Sequence, residues 1–191
     1  MEKVKVIIMG LGAMGGGMAD MLLKKQGVEI VGVVGRGKML GTSMYDHIST
    51  PRGDREDVIV GAMEDVITEK AADVVLLCTD SFTRKAFDKI KFIVEKKINV
   101  ISSAEEMAYP MAQEPELAKE IDRLAKENGV SVLGTGINPG LIMDLLVILM
   151  TGCCEEVHSI LSRRVNSLSP FGPAVMEEQG IGITVEEFNK G

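Results

Sequence analysis

A turn rich in glycine lies near the N-terminus and limits the folds that this chain can adopt. The turn is Gly10-Leu11-Gly12-Ala13-Met14-Gly15, a G-x-G-x-x-G pattern between the apolar run Val4–Met9 and a segment whose methionines recur at helical spacing. Between a strand and a helix, the first glycine permits a tight turn, the second lets the main chain approach a diphosphate, and the third allows the helix to pack on the strand. Free N–H groups and the helix dipole favour an anion there. The motif predicts a dinucleotide site formed by these residues; the alternative is a glycine-rich turn without a ligand.

Strand-like and helix-like segments alternate along most of the chain. Apolar runs that are typical of strands buried on both faces are separated by stretches with helical spacing. Such alternation implies right-handed crossovers, so the sequence predicts an α/β fold with a doubly wound parallel sheet of the Rossmann type. The predicted strands are Val4–Met9, Glu29–Val34, Val58–Val60, Asp73–Thr79, Asn99–Ser102 and Val130–Gly134, and the predicted helices are Ala13–Gln26, Met63–Lys70, Thr83–Lys97 and Pro115–Asn128, with a loop and at most a short helix over 35–57.

The pattern changes after Asn138-Pro139-Gly140. An apolar helix is predicted over Gly140–Met150, a strand over Val157–Val165 and a capped helix start at Thr184–Phe188. A single strand leaves its backbone edge unsatisfied, so this segment cannot close a domain alone. The expected organisation is an NAD(P)-binding Rossmann domain over 1–137, followed over 138–191 by a junction helix and the first part of an incomplete α+β domain. We therefore expect a piece of a longer enzyme or, as a weaker alternative, strands supplied by another chain.

Composition and charge narrow the possible partners. The formal net charge of −7 argues against nucleic acid and acidic membrane surfaces, because both demand a basic face. The most apolar run, Gly140–Cys154, is shorter than the roughly 20 residues of a membrane span and contains Asp144. Cys78, Cys153 and Cys154 are not spaced as metal ligands. We expect a cytoplasmic protein with reduced thiols, no metal site and a small molecule as its partner.

The end of the second predicted strand bears on the choice of dinucleotide. NAD-selective Rossmann domains usually place Asp or Glu there, where the carboxylate binds the ribose hydroxyls. This chain continues instead with Gly35-Arg36-Gly37-Lys38. A guanidinium can pair with the 2′-phosphate of NADP, whereas a carboxylate would repel that phosphate. Arg36 therefore predicts that NADPH binds at least as well as NADH; alternatively, Arg36 stacks on the adenine of either cofactor or is a solvated loop residue.

Two further cofactor contacts are predicted, because ligands of such sheets lie beyond the carboxyl ends of the strands. Thr79 ends the fourth predicted strand and is expected to contact the cofactor, although Asp80 or Ser81 could equally cap the next helix. Asn138 lies at the junction after the sixth predicted strand and is expected near the nicotinamide.

The sequence assigns no catalytic residue. Glu105 and Glu106, after the fifth predicted strand, either approach a cationic substrate or face solvent. His47 lies in a polar loop and His158 on the last predicted strand, and neither has a recognisable acidic partner in sequence. We therefore assign no general base within these residues.

Four segments carry a family likeness: GLGAMG, NVISSAEEMAYP, GTGINPGLIMD and SRRVNSLSPFGPAVMEEQGIGITVEEF. Together they resemble the 2,4-diaminopentanoate dehydrogenases, within the dihydrodipicolinate-reductase-like group, over essentially all of the chain. The first segment is generic, and the last two are far more specific. The resemblance implies an NAD(P)-dependent oxidoreductase of ornithine fermentation, which oxidatively deaminates 2,4-diaminopentanoate to 2-amino-4-oxopentanoate and ammonia. It also implies a base and substrate-binding carboxylates, expected mostly beyond residue 191, and we expect a homo-oligomer at full length.

Two other interpretations are open. The first is an imine reductase of the dihydrodipicolinate type, although the chain lacks the His-His pair followed by Lys that marks the substrate domain of that reductase. The second is a non-catalytic NAD(P)-sensing Rossmann module, against which the apolar junction helix and the start of a further domain argue.

Overall fold

The chain divides into two compact units, of which one ends at Cys153 and the other begins at Cys154. The computed structural model describes residues 2–165, 167–169, 176 and 180–190. The predicted division after residue 137 into a cofactor domain and a second domain stays a prediction. Within the described ranges, no helix combines the length and the apolar character needed to cross a bilayer.

A parallel sheet forms the centre of the first unit. Its strands are β1 (Val4–Met9), β2 (Val28–Val34), β3 (Val60–Gly61), β4 (Val74–Leu77), β5 (Asn99–Ser102) and β6 (Val132–Gly134). They lie in the order β3-β2-β1-β4-β5-β6, and all neighbouring strands are parallel. The strand order therefore reverses direction between β1 and β4, which confirms the predicted doubly wound sheet.

Strand β1 lies in the middle of the sheet because its last four side chains are apolar and buried on both faces. Ile7 and Met9 are buried in one hydrophobic cluster, and Val6 and Ile8 are buried in another on the opposite face. Each fully buried side chain of this kind contributes roughly 1.5–3 kcal/mol. The two clusters therefore fix both the strand and the turn that follows it.

Helices flank this sheet, and further helices follow its last strand in the chain. The described helices are α1 (Ala13–Leu22), α2 (Met63–Val66), α3 (Thr83–Glu95), α4 (Pro115–Asn128), α5 (Leu146–Thr151) and α6 (Val185–Phe188). Helix α3 buries Ile90, Ile93 and Val94 against the sheet, as its amphipathic spacing predicted. Helix α4 begins with Pro115 and ends before Gly129, which caps the helix in the left-handed conformation with a φ of 67°.

Helices α1 and α2 are shorter than the sequence predicted. Helix α1 ends at Leu22 rather than Gln26, and the chain turns at Gly27 with a φ of 79°. Helix α2 ends at Val66 rather than Lys70, where φ is 55°. After Leu23 the backbone hydrogen bonds reach back only three residues, from Lys24 to Met21 and from Lys25 to Leu22, so the α-helical pattern of α1 stops there. After α2, the ψ of 82° at Ile67 leaves the helical range.

Several other boundaries differ from the predictions. Strand β3 is Val60–Gly61 rather than Val58–Val60, because Ile59 forms an antiparallel bridge to Ser43 instead. Strands β4 and β6 are shorter than predicted, and the 35–57 loop contains two single 3-10 turns, Gly37–Met39 and Met44–Asp46.

The second unit corrects one prediction and confirms another. Residues 155–165 have no regular secondary structure, so the predicted strand Val157–Val165 is wrong. None of the described strands pairs with this segment, and an extended segment without a hydrogen-bonded neighbour does not form a strand. The capped helix start is confirmed, because Thr184 and Glu187 make both hydrogen bonds of a capping box at α6. The backbone N–H and the hydroxyl of Thr184 both donate to the Glu187 carboxylate and lower its pKa.

Candidate functional site

The carboxyl ends of β1, β2 and β4 open into a cleft of about 650 Å³, which we call the main cleft. It lies at the point where the strand order reverses, which is where ligands bind in sheets of this type. Its volume falls within the range of roughly 300–1,000 Å³ that is usual for small-molecule sites. The predicted contacts that line it are Gly10, Leu11, Gly12, Arg36 and Thr79.

Two glycines of the turn are required by the fold itself. Gly10 has a φ of 97°, and a Cβ there would lie 2.7 Å from Cγ2 of Thr79. A Cβ on Gly15 would lie 1.7 Å from the backbone oxygen of Gly10. Gly10 thus permits the turn, and Gly15 permits helix α1 to pack against the turn, as the motif predicted.

Gly12 is different, because no atom of the described residues requires a glycine at that position. Its φ is −71°, and a Cβ there would meet nothing within 4 Å. The position faces the main cleft, and helix α1 begins directly after it without a side-chain cap. Uncapped N–H groups beside open space match what a diphosphate needs. The turn therefore fits a dinucleotide, and the space at Gly12 is the observation that supports the fit.

The remaining residues of the motif can contribute only in part. Leu11 is buried in the hydrophobic cluster on the α1 side of the sheet, so its backbone alone is available to a ligand. Ala13 lines a smaller cavity of about 540 Å³ beside the turn, together with Gly12, His47 and Ser49. Met14 is 60% exposed and lines neither cavity.

Arg36 lies where the sequence predicted, directly after β2, and it lines the main cleft. Its side chain is exposed and makes no hydrogen bond or ion pair with any other described residue. Glu64 of α2 lines the same cleft. The guanidinium is thus available to an anionic ligand, and its role as a cofactor contact stays a prediction.

Thr79 lines the main cleft as part of a network of three side chains. Its hydroxyl donates to Oδ2 of Asp80 at 2.5 Å and accepts from Nζ of Lys89 at 3.0 Å. Lys89 also donates to Oδ2 of Asp80 at 2.6 Å. Asp80 and Lys89 line the same cleft. The sequence analysis missed Lys89, although a lysine between the buried residues Ala86 and Ile90 of α3 is a signal that could have found it.

Helix α3 is capped from another part of the chain. Its N-cap position is Phe82, which offers no side-chain cap, so neither Asp80 nor Ser81 has the capping role considered above. Instead, the backbone N–H of Thr83 donates to Oε2 of Glu106 at 2.9 Å. Glu106 is therefore half-buried and occupied by a structural bond, whereas Glu105 is exposed.

Asn138 is not brought into the main cleft. It follows β6, which is separated from β4 by β5. The segment Ile137–Leu145 is wound but not helical at Asn138, Pro139 and Gly140, and it runs directly into α5. Asn138 is half-buried there, and its predicted contact with the cofactor stays a prediction.

The two histidines and Cys78 are the remaining side chains considered for chemistry. Nε2 of His47 lies 2.7 Å from the Thr42 hydroxyl, and His158 is an exposed residue of the second unit beside Glu156. Burial raises the pKa of the Cys78 thiol, which lines the main cleft, and a hydrogen bond with Ser103 offsets this in part. Among the described residues, no cluster of three or more His, Cys, Asp or Glu side chains could hold a metal ion.

Family comparisons agree with this geometry. Residues 4–135 match the oxidoreductase family with an NAD-binding Rossmann fold. The chain belongs to this oxidoreductase family. The predicted binding of a nicotinamide dinucleotide is thereby confirmed for the family, and the choice between NAD and NADP stays a prediction. Residues 141–191 match the C-terminal domain of 2,4-diaminopentanoate dehydrogenase, which confirms the resemblance found in the sequence.

Several solved structures are similar to this chain. An amine dehydrogenase from Mycobacterium smegmatis has 27% identity and a TM-score of 0.73, over 98% of this chain and 55% of that one. A mutant meso-diaminopimelate dehydrogenase from Clostridium tetani with DAP has 18% identity and a TM-score of 0.59, over 78% and 42%. GenD2 from gentamicin A biosynthesis, in complex with NAD, has 20% identity and a TM-score of 0.54, over 70% and 34%. The last two show the fold alone, and the chain spans about half the length of the amine dehydrogenase that it matches.

Proposed function

We propose that the protein is an NAD(P)-dependent amine dehydrogenase that oxidatively deaminates 2,4-diaminopentanoate to 2-amino-4-oxopentanoate and ammonia. The observation that carries this proposal is the match of residues 141–191 to the C-terminal domain of 2,4-diaminopentanoate dehydrogenase, directly behind an NAD-binding Rossmann fold. The likeness to an amine dehydrogenase over 98% of the chain supports the same reaction class. A role in ornithine degradation, a cytoplasmic location, homo-oligomer formation and a domain division after residue 137 belong to this proposal.

The residues of the main cleft have distinct roles in the proposed reaction. The nicotinamide ring, when bound, supplies the acceptor for the hydride that leaves the substrate carbon. The backbone amides after Gly12 hold the diphosphate at the start of α1, where no side chain competes for them. Arg36 pairs with the 2′-phosphate of NADP, so that NADPH binds at least as well as NADH. Thr79 borders the cofactor at the end of β4.

Turnover of the proposed substrate tests the function. The protein at its full length is incubated with 2,4-diaminopentanoate and either NAD⁺ or NADP⁺, and the absorbance of the reduced nicotinamide and the release of ammonia are followed. We expect both products in equal amounts. Cofactor binding without turnover of any amine would reject the dehydrogenase and favour a sensor, whereas oxidation of NADPH by a cyclic imine would favour the imine reductase.

A further inference from the structure

A charge pair lies within the main cleft, beside the residues that the proposed function assigns to the cofactor. Nζ of Lys89 is 2.6 Å from Oδ2 of Asp80, and the side chains are 30% and 11% exposed, respectively. An isolated carboxylate with so little contact to water would repel any anion that enters the same space. A dinucleotide carries its diphosphate into this cleft, so the charge on Asp80 must be balanced before such a ligand can bind well.

The same network fixes the orientation of Thr79. The hydroxyl proton of Thr79 is directed at Asp80, and Lys89 donates to the hydroxyl oxygen. The methyl group of Thr79 lies on the opposite side, against Gly10, where a Cβ would be only 2.7 Å from it. Lys89 thus acts on the glycine turn through one intervening side chain.

We propose that Lys89 is a positioning residue for the cofactor: its ammonium neutralises Asp80 and holds Thr79 against the glycine turn, so that an anionic dinucleotide can occupy the cleft. This inference rests on the proposed function, because it presupposes that NADH or NADPH binds between β1 and β4. It goes beyond that function by giving a role to a helix residue outside the glycine motif. Charge balance is the main contribution, and the hydrogen bond to Thr79 is the smaller one.

Substitutions of Lys89 and Asp80, alone and together, distinguish charge balance from a purely structural role of Lys89. Lys89→Met leaves Asp80 unpaired and should weaken NADH about tenfold, since one uncompensated charge acts across a partly dry cleft. Lys89→Gln, which keeps a hydrogen-bond donor but no charge, should weaken NADH to a similar extent. Lys89→Arg should stay close to the wild type. The double variant Asp80→Asn with Lys89→Met has neither charge and should regain most of the lost affinity.

A fluorescence titration of NADH and of NADPH into the full chain measures these effects without requiring turnover. Lys91→Met is the matched control, because Lys91 is an exposed lysine of the same helix that does not line the cleft. It removes the same charge and should leave the dissociation constant unchanged. Raising the salt concentration should reduce the difference between Lys89→Met and the wild type, as expected for a screened charge effect.

The possible results separate the two proposals. If the wild-type protein binds neither nucleotide, the proposed cofactor site is wrong. If the wild type binds but Lys89→Met behaves like Lys91→Met, the role of Lys89 is wrong while the site stands. If Lys89→Met weakens binding and the double variant does not recover, charge balance is also rejected, because a purely structural defect at Lys89 would persist in the double variant. Should Lys89→Met fail to fold, Lys89→Gln and its double variant with Asp80→Asn give the same decision.

Discussion

Gly12→Ala adds one methyl group at a position where the protein itself leaves room. The backbone angles of Gly12 are open to alanine, and its Cβ would meet nothing within 4 Å. Alanine reduces the entropy of the unfolded chain, which stabilises by about 0.4–1 kcal/mol, and it is a poorer N-cap than glycine, which opposes that gain. The two effects nearly cancel, so we expect the melting temperature to change by less than about 3 °C.

Cofactor binding should respond very differently to the same methyl group. The methyl group added by Gly12→Ala would lie between the diphosphate and the first N–H groups of α1. Each hydrogen bond to a charged group contributes about 1.5–3 kcal/mol, so the loss of two would weaken NADH and NADPH by at least about a hundredfold.

Two neighbouring glycines serve as controls for Gly12→Ala. Gly17 lies in helix α1, where an added Cβ would meet nothing within 4 Å, and it does not line the main cleft. Gly17→Ala should leave cofactor affinity unchanged and stabilise the helix by about 0.5–1 kcal/mol. Gly15→Ala should instead disrupt folding, since its Cβ would lie 1.7 Å from the backbone oxygen of Gly10.

The assay combines thermal unfolding with nucleotide titration for each variant. Among the three variants, Gly12→Ala alone should have a reduced affinity for the cofactor and an unchanged melting temperature. If Gly12→Ala bound both nucleotides as tightly as the wild type, the diphosphate would not lie at this turn, and the assignment of the turn would be refuted.

Three further predictions concern individual side chains. Arg36→Ala should weaken NADPH about tenfold to a hundredfold more than NADH, without a change in melting temperature, and equal losses in titration would count against the 2′-phosphate contact. Burial raises the pKa of the Cys78 thiol. In a protein with Cys153→Ser and Cys154→Ser, iodoacetamide should therefore alkylate Cys78 more slowly than it alkylates glutathione at neutral pH, and the reaction should accelerate only at higher pH. A rate for Cys78 equal to that of glutathione would contradict this. Glu106→Ala should lower stability by about 1 kcal/mol because the cap of α3 is lost, and an unchanged denaturant midpoint would show that the bond to Thr83 contributes nothing.

The bounds of a strand or helix were predictable where the local sequence pattern and the tertiary packing favour the same secondary structure. Strand β1, strand β5 and helix α4 have the predicted bounds, because each combines its apolar spacing with a clear terminal signal. Helix α2 did not follow its pattern, because the backbone leaves the helical range at Ile67, where the sequence has no glycine or proline to mark the end. The strand over Val157–Val165 failed because alternation describes a suitable surface but does not supply a neighbouring strand.

The candidate site was predictable only where the backbone determines it. The glycine turn could be read from six consecutive residues, since its constraints are local. The cap that Glu106 provides to Thr83 and the approach of Lys89 to Asp80 join segments that the sheet brings together. No spacing rule covers such contacts, because they depend on the strand order and on the direction of α3.

The two cations of the main cleft illustrate why pairing matters more than charge. The side chain of Arg36 makes no hydrogen bond or ion pair with another described residue, whereas that of Lys89 donates to Asp80 and Thr79. A free guanidinium at the end of β2 can discriminate between cofactors that differ by one phosphate, but a neutralised ion pair cannot. It follows that Lys89→Met should weaken NADH and NADPH by the same factor, whereas Arg36→Ala should change their ratio. Nucleotide titrations of the two variants in which both altered the ratio equally would show that the charges act as one field rather than as separate contacts.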